Sequence, residues 1–120
     1  MLDVQTALNE IMKLNGAIGA ALVDFDSGMC LGTAGGGTLN LGLAAAGNVE
    51  VVRAKKNVRD ELGLPDKIED ILITLDTQYH LIRMLHDNTK AFLYIVLNRD
   101  KANLAMARFQ LKKIDQELKI

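Results

Sequence analysis

A single cysteine, Cys30, in 120 residues excludes an internal disulfide and fits a reducing compartment. Neither sign of charge prevails. Lysine and arginine number 14 against 15 aspartates and glutamates, for a formal charge of -1. Such a balance offers no electrostatic footprint for nucleic acid or for an anionic membrane. No apolar run approaches the roughly 20 residues that cross a bilayer. The opening MLDVQTALNE has neither the basic region nor the apolar stretch of a secretory signal. These absences lead to the expectation of a cytoplasmic protein with no direct membrane insertion. The lack of tryptophan and the single proline exclude little. What remains is ordinary for a globular chain, 49% hydrophobic and 24% charged. At this length one domain over residues 1–120 is expected, burying about two-thirds of its unfolded surface.

Taken in order, Asp3 is a suitable N-cap, and Val4, Ala7, Leu8, Ile11 and Leu14 recur at helical spacing until Asn15-Gly16 stops them. Ala17–Phe25 reads as a strand apolar on both faces. Asp26-Ser27-Gly28 turns it into a weaker strand over Met29–Ala34. A long helix spans Asn40–Leu62 and ends at Gly63, with Pro65 beyond. Three strands follow, Ile68–Leu75, Tyr79–Leu85 and Ala91–Leu97, joined by turns at Asp76-Thr77-Gln78 and Asp87-Asn88-Thr89-Lys90. Asp100 or Asn98 caps a last helix running to about Leu118.

The order αββαβββα places the chain in the α/β (α+β) class, with a five-stranded, mainly antiparallel sheet. The first and fifth strands are the most apolar and so central and adjacent. Hairpin connections then give the order 2-1-5-4-3. The long helix lies on one face, the first and last helices on the other. That helix has two apolar stripes. Ala44, Gly47, Val51, Ala54, Val58 and Leu62 form the longer one, expected to face the sheet. Leu41, Ala45, Val49 and Val52 form the second, expected to meet a second copy of the chain. Gly47, costly inside a helix, implies a close approach at that point. The third strand is an edge carrying Ile71, Leu72 and Ile73 without proline or lysine, which also invites a partner chain. In the last helix Leu104, Ala107, Leu111, Ile114 and Leu118 suit the sheet. Ala102, Ala105, Met106 and Phe109 point elsewhere, toward the first helix.

Catalytic and metal chemistry finds little footing. Gly32–Thr38 (GTAGGGT) lies between strand and helix, yet it lacks the Gly-Lys-Ser/Thr of a P-loop and the spacing of a dinucleotide fingerprint. It reads as a connection that needs positive φ. His80 and His86 could share a face, but with Cys30 remote no metal-ligand set closes. Asp66, Glu69 and Asp70 read as solvated edge charges. No serine, threonine or cysteine has an identifiable base. No enzyme, cofactor or metal site is expected.

The segments AALVDFDSG (Ala20–Gly28), ITLDTQYHLIRML (Ile73–Leu85) and FLYIVLNRDKANLAMAR (Phe92–Arg108), in that order and register, resemble the roadblock/dynein light chain family. The likeness covers nearly the whole chain and is nearest to the small, free-standing prokaryotic members. It implies a homodimer whose third strands pair across a two-fold axis into one ten-stranded sheet, with the long helices antiparallel upon it. The dimer interface is expected at Leu41, Ala45, Val49, Val52, Ile71 and Ile73. The resemblance also implies a Ras-like small GTPase as partner, received on the paired helices. Some members accelerate GTP hydrolysis and others only scaffold, and none donates a catalytic arginine. The polar side of the long helix (Glu50, Arg53, Lys56, Asn57) is the expected contact. Two other readings remain: a scaffold subunit that touches no GTPase, and a small-ligand sensor of profilin-like or PAS-like build.

Overall fold

The structure, a computed structural model, describes residues 2–86 and 90–119. Helix α1 (Val4–Ile11) leads into strands β1 (Ala17–Asp24) and β2 (Cys30–Gly35). Helix α2 (Leu41–Glu61) follows, then β3 (Asp70–Thr74), β4 (Gln78–Met84), β5 (Ala91–Asn98) and helix α3 (Leu104–Glu117). The sheet order is β2-β1-β5-β4-β3, antiparallel at every pairing, as the sequence predicts. Most of the expected turn at Asp87-Asn88-Thr89 lies outside the described residues.

Local signals account for most of the boundaries. The Asp3 carboxylate accepts from Thr6 N–H at 2.8 Å, and that bond holds its pKa below the ordinary carboxylate value. Asn40 caps α2 through Leu43 N–H at 3.0 Å. At the far end Gly63, at φ 69°, reverses the chain. Its N–H bonds to the Asp60 carbonyl and that of Leu64 to the Arg59 carbonyl, a Schellman closure that satisfies the last carbonyls of the helix. The Gly35-Gly36-Gly37 run takes φ values of 63°, 103° and 55°, which confirms a connection built for the left-handed region. The last helix is capped neither by Asp100 nor by Asn98. Its cap is Asn103, which accepts from Met106 N–H at 3.0 Å, while Asn98 ends β5 and accepts from Asp100 N–H.

The core has two layers on either side of the sheet. Under α1 and α3 lie Ala20, Leu22, Leu81, Leu93, Ile95 and Leu97, packed with Leu8, Ile11, Leu111 and Ile114. Under α2 lie Ala21, Val23, Ile82, Met84, Phe92, Tyr94 and Val96. Successive residues of β1 and β5 alternate between these layers, so both strands are buried on both faces. Each large side chain fully buried here contributes about 1.5–3 kcal/mol.

Two sequence expectations are corrected by this packing. The stripe of α2 against the sheet is Leu41, Ala45, Val49 and Val52, all buried, so these four residues are core and not an interface between copies. The longer stripe is the open one: Gly47, Ala54, Val58 and Leu62 are exposed, and Ala44 and Val51 half-buried. The buried line continues through Lys56 and Arg59, whose stems keep it covered while their charges reach the surface. Charges at those two places make the shorter stripe look unfinished. On α3, Met106 and Phe109 stay 53% and 63% exposed rather than covered by α1, with Met106 lining a groove beside Glu10 and Leu14, while Ala102 is half-buried against the core. What fastens α3 is partly ionic. Buried Asp115 accepts from Arg83 at 3.2 Å and from the His86 backbone N–H at 3.2 Å, and Arg108 bonds Asp70 of β3 at 3.1 Å.

Candidate interaction surface on helix α2 and strand β3

The open side of α2 is an apolar arc bounded by charge. Leu43 is 72% exposed, Val58 44% and Leu62 65%, with Gly47 and Ala54 between them. A Cβ added at Gly47 would meet nothing within 4 Å, so no packing among the described residues explains the glycine. Beside the arc stand the predicted contact residues. Glu50, Arg53 and Asn57 are exposed, Lys56 is half-buried, and Arg53 pairs with Glu50. Phe25, just past β1, is their platform. Lys56 Nζ lies 4.3 Å and Arg53 Cζ 5.7 Å from its ring centroid. Sequence reasoning missed Phe25, because its pairing with α2 is long-range and leaves no local pattern.

Strand β3 closes the sheet at one edge, so one side of its backbone has no partner strand among the described residues. Ile71 packs in part beneath α2, and Ile73, opposite His80 of β4, is also half-buried. These two predicted interface residues therefore do lie at an open border, unlike the four of α2. Asp70, expected as a solvated edge charge, is held instead by Arg108, whereas Asp66 and Glu69 are exposed.

Inward of this border a polar chain crosses the apolar layer. The Tyr94 hydroxyl meets His80 Nδ1 at 3.0 Å, and His80 Nε2 meets Gln78 Oε1 at 2.9 Å. Asn48 of α2 completes it with a hydrogen bond to Tyr94. A consistent direction runs from Asn48 N–H to the tyrosine oxygen, from its O–H to Nδ1, and from Nε2–H to Gln78, which requires neutral imidazole. Burial lowers the His80 pKa, in keeping with that state. Burial likewise raises the Tyr94 pKa, against a smaller lowering by the Asn48 bond. His86 belongs elsewhere, beside Asp115 of α3, so the two histidines form no joint site. Among the described residues no group of three or more His, Cys, Asp or Glu could hold a metal ion, and no helix is long and apolar enough to cross a membrane.

A sheet in the order β2-β1-β5-β4-β3, with one long helix on one face and two on the other, is the fold of the roadblock/LC7 domain. The roadblock/LC7 domain from Streptomyces avermitilis matches with a TM-score of 0.84 at 12% identity, over 97% of this chain and 94% of that one. The gliding protein MglB from Thermus thermophilus matches at 0.79 and 18% identity, over 92% and 81%. An MglB structure with a tetrameric arrangement matches at 0.80 and 17% identity, over 92% and 81%. No family model matches the sequence, and no curated protein matches it either. The likeness is one of fold.

Proposed function

We propose that this chain is a homodimeric, non-enzymatic regulator or adaptor of a Ras-like small GTPase. The observation that carries the proposal is the apolar arc of α2 beside the unpaired edge of β3. Two apolar elements left open side by side call for one partner that covers both. A second copy does so by setting its own α2 against the arc and its β3 against the edge, which extends the sheet. The interface residues in this arrangement are Gly47, Val51, Ala54, Val58, Ile71 and Ile73. A dimer of that kind leaves the charged flank (Glu50, Arg53, Lys56, Asn57) outward on both copies, as a surface for the GTPase. The roadblock fold and the likeness to MglB support the reading. Between α2 and the sheet the space is filled by Phe92, Tyr94 and Val96, which weighs against a ligand-sensing pocket there.

The test is charge reversal of Arg53 and Lys56 together. Arg53 is exposed and Lys56 covers the core only with its stem, over Phe25, so the double change should cost about 1–2 kcal/mol of stability and leave the fold intact. Sedimentation should still give a dimer, while binding to the cognate GTPase should be lost, because reversed charges meet unpaired or like-charged partners. The GTPase is assayed loaded with GDP and with a GTP analogue, since a regulator must bind the two states differently. Equal affinity for both would favour the scaffold, and undiminished binding by a dimeric double variant would remove this face from the proposal.

A further inference from the structure

Where α2 ends and the chain enters β3, a cleft of about 480 Å³ opens. Lys56 and Arg59 line it from α2, Lys67, Ile68 and Glu69 from the segment before β3, and Arg83 to His86 from the end of β4. Met84 and Leu85 are buried and Ile68 half-buried, so its depth is apolar. Its rim carries Lys56, Arg59 and Lys67 against one carboxylate, Glu69, while the Arg83 side chain turns to the α3 face of the sheet. In a chain whose formal charge is -1 this is a local excess of positive charge.

The neighbours only partly offset it. Asp115 neutralises Arg83 from the α3 side, and Asp60 lies beside Arg59 at 3.0 Å. Arg59 is also tied to the Asp66 carbonyl, which fixes its guanidinium at the mouth. No carboxylate among the described residues pairs with Lys56 or Lys67, although Lys56 lies over Phe25. The dipole at the C-terminal end of α2 accounts for a cation at Arg59 but not for one at Lys67, which lies beyond the helix. Like charges gathered around a concave apolar site repel one another, and an anion relieves that repulsion.

We propose that this cleft binds a small phosphate-bearing anion. Arg59 and Lys67 hold the phosphate, and the rest of the molecule rests on Ile68, Met84 and Leu85. Phosphate fits better than a single carboxylate because its several oxygens can accept at once from the Lys56 and Lys67 ammonium groups and from the Arg59 N–H groups left outside its bonds to Asp60 and the Asp66 carbonyl. The same chemistry is found in a soluble phosphate ester and in a phosphorylated lipid headgroup.

The test uses the full chain with no GTPase present, so its outcome is independent of the regulatory reading above. Pyrophosphate is titrated into ¹⁵N-labelled protein, with saturable amide shifts expected at Arg59, Lys67–Glu69 and Arg83–His86. Lys67→Glu, at an exposed side chain outside the core, should weaken binding about tenfold. Arg59→Gln should do likewise, and Lys112→Glu, an exposed position on α3, should leave it unchanged. Co-sedimentation with phosphatidylcholine vesicles, with and without phosphatidylinositol 4-phosphate, separates the sources. Retention only on the phosphorylated vesicles assigns a headgroup, and pyrophosphate binding without retention assigns a soluble ester. Absence of saturable shifts, full affinity in Lys67→Glu, or equal weakening by Lys112→Glu would overturn the site.

Discussion

His80 shows what one residue contributes that no sequence pattern announces. Alternation along β4 places it on the α2 side of the sheet, but not that Tyr94 and Asn48 converge on it, since those contacts join three elements. The consequence is a pH dependence. The His80 pKa is lowered in the folded chain from an ordinary value of 6.5, so the unfolded chain takes up the proton first as pH falls. The His80 contribution is therefore whole above about pH 6.5 and is lost as pH falls from there through the depressed native pKa. Urea midpoints at pH 7.5 and 5.5 should drop more for the native chain than for His80→Gln, in which carboxylate titrations are common to both and cancel. Equal drops would mean that the imidazole is free to protonate in place. The cap at Asn103 is the opposite case, a local signal that was present but passed over. Asn98 and Asp100 offered equally good capping side chains, and only the end of β5 at Asn98 decides among the three.

At the scale of elements, helix α2 had two apolar stripes in the sequence, and both exist. Their assignment was inverted because the longer stripe looked like the core, while the buried one passes into Lys56 and Arg59. Side-chain volume was the better guide. Leu41, Val49 and Val52 fill space against the sheet, whereas Gly47 and Ala54 are small and exposed. The two faces can be separated by one substitution each. Val52→Asp buries a carboxylate among Phe92 and Tyr94 and should cost on the order of 4 kcal/mol, enough to unfold much of a domain of ordinary stability. Val58→Asp should leave the isolated fold within about 0.5 kcal/mol and instead weaken self-association. Circular dichroism with analytical ultracentrifugation distinguishes these outcomes, and an intact, undiminished assembly of Val58→Asp would clear the open stripe of any role. Strand order was legible throughout, because apolar content alone ranked β1 and β5 as central and the hairpins left no other arrangement.

For the molecule as a whole, the proposed dimer turns on the edge at β3. Ile73→Lys puts a charge on the exposed border of an edge strand, the device by which natural sheets prevent pairing with another chain. At micromolar concentration the native chain should sediment at twice its mass and Ile73→Lys at the mass of one chain. Persistence of the larger species would move the interface away from β3. Net charge, the other whole-chain property, was a poor guide to the surface. A sum of -1 conceals three cations around one cleft, and only folding brings Lys56 and Arg59 beside Lys67. The ionic ties of α3 bear on assembly too. Arg108–Asp70 and Arg83–Asp115 fasten β3 and β4 from the face away from α2. The free edge is thus already ordered before anything pairs with it. A partner has no loose strand to straighten, so little conformational entropy is lost on association, and docking can proceed as a rigid-body encounter limited mainly by orientation.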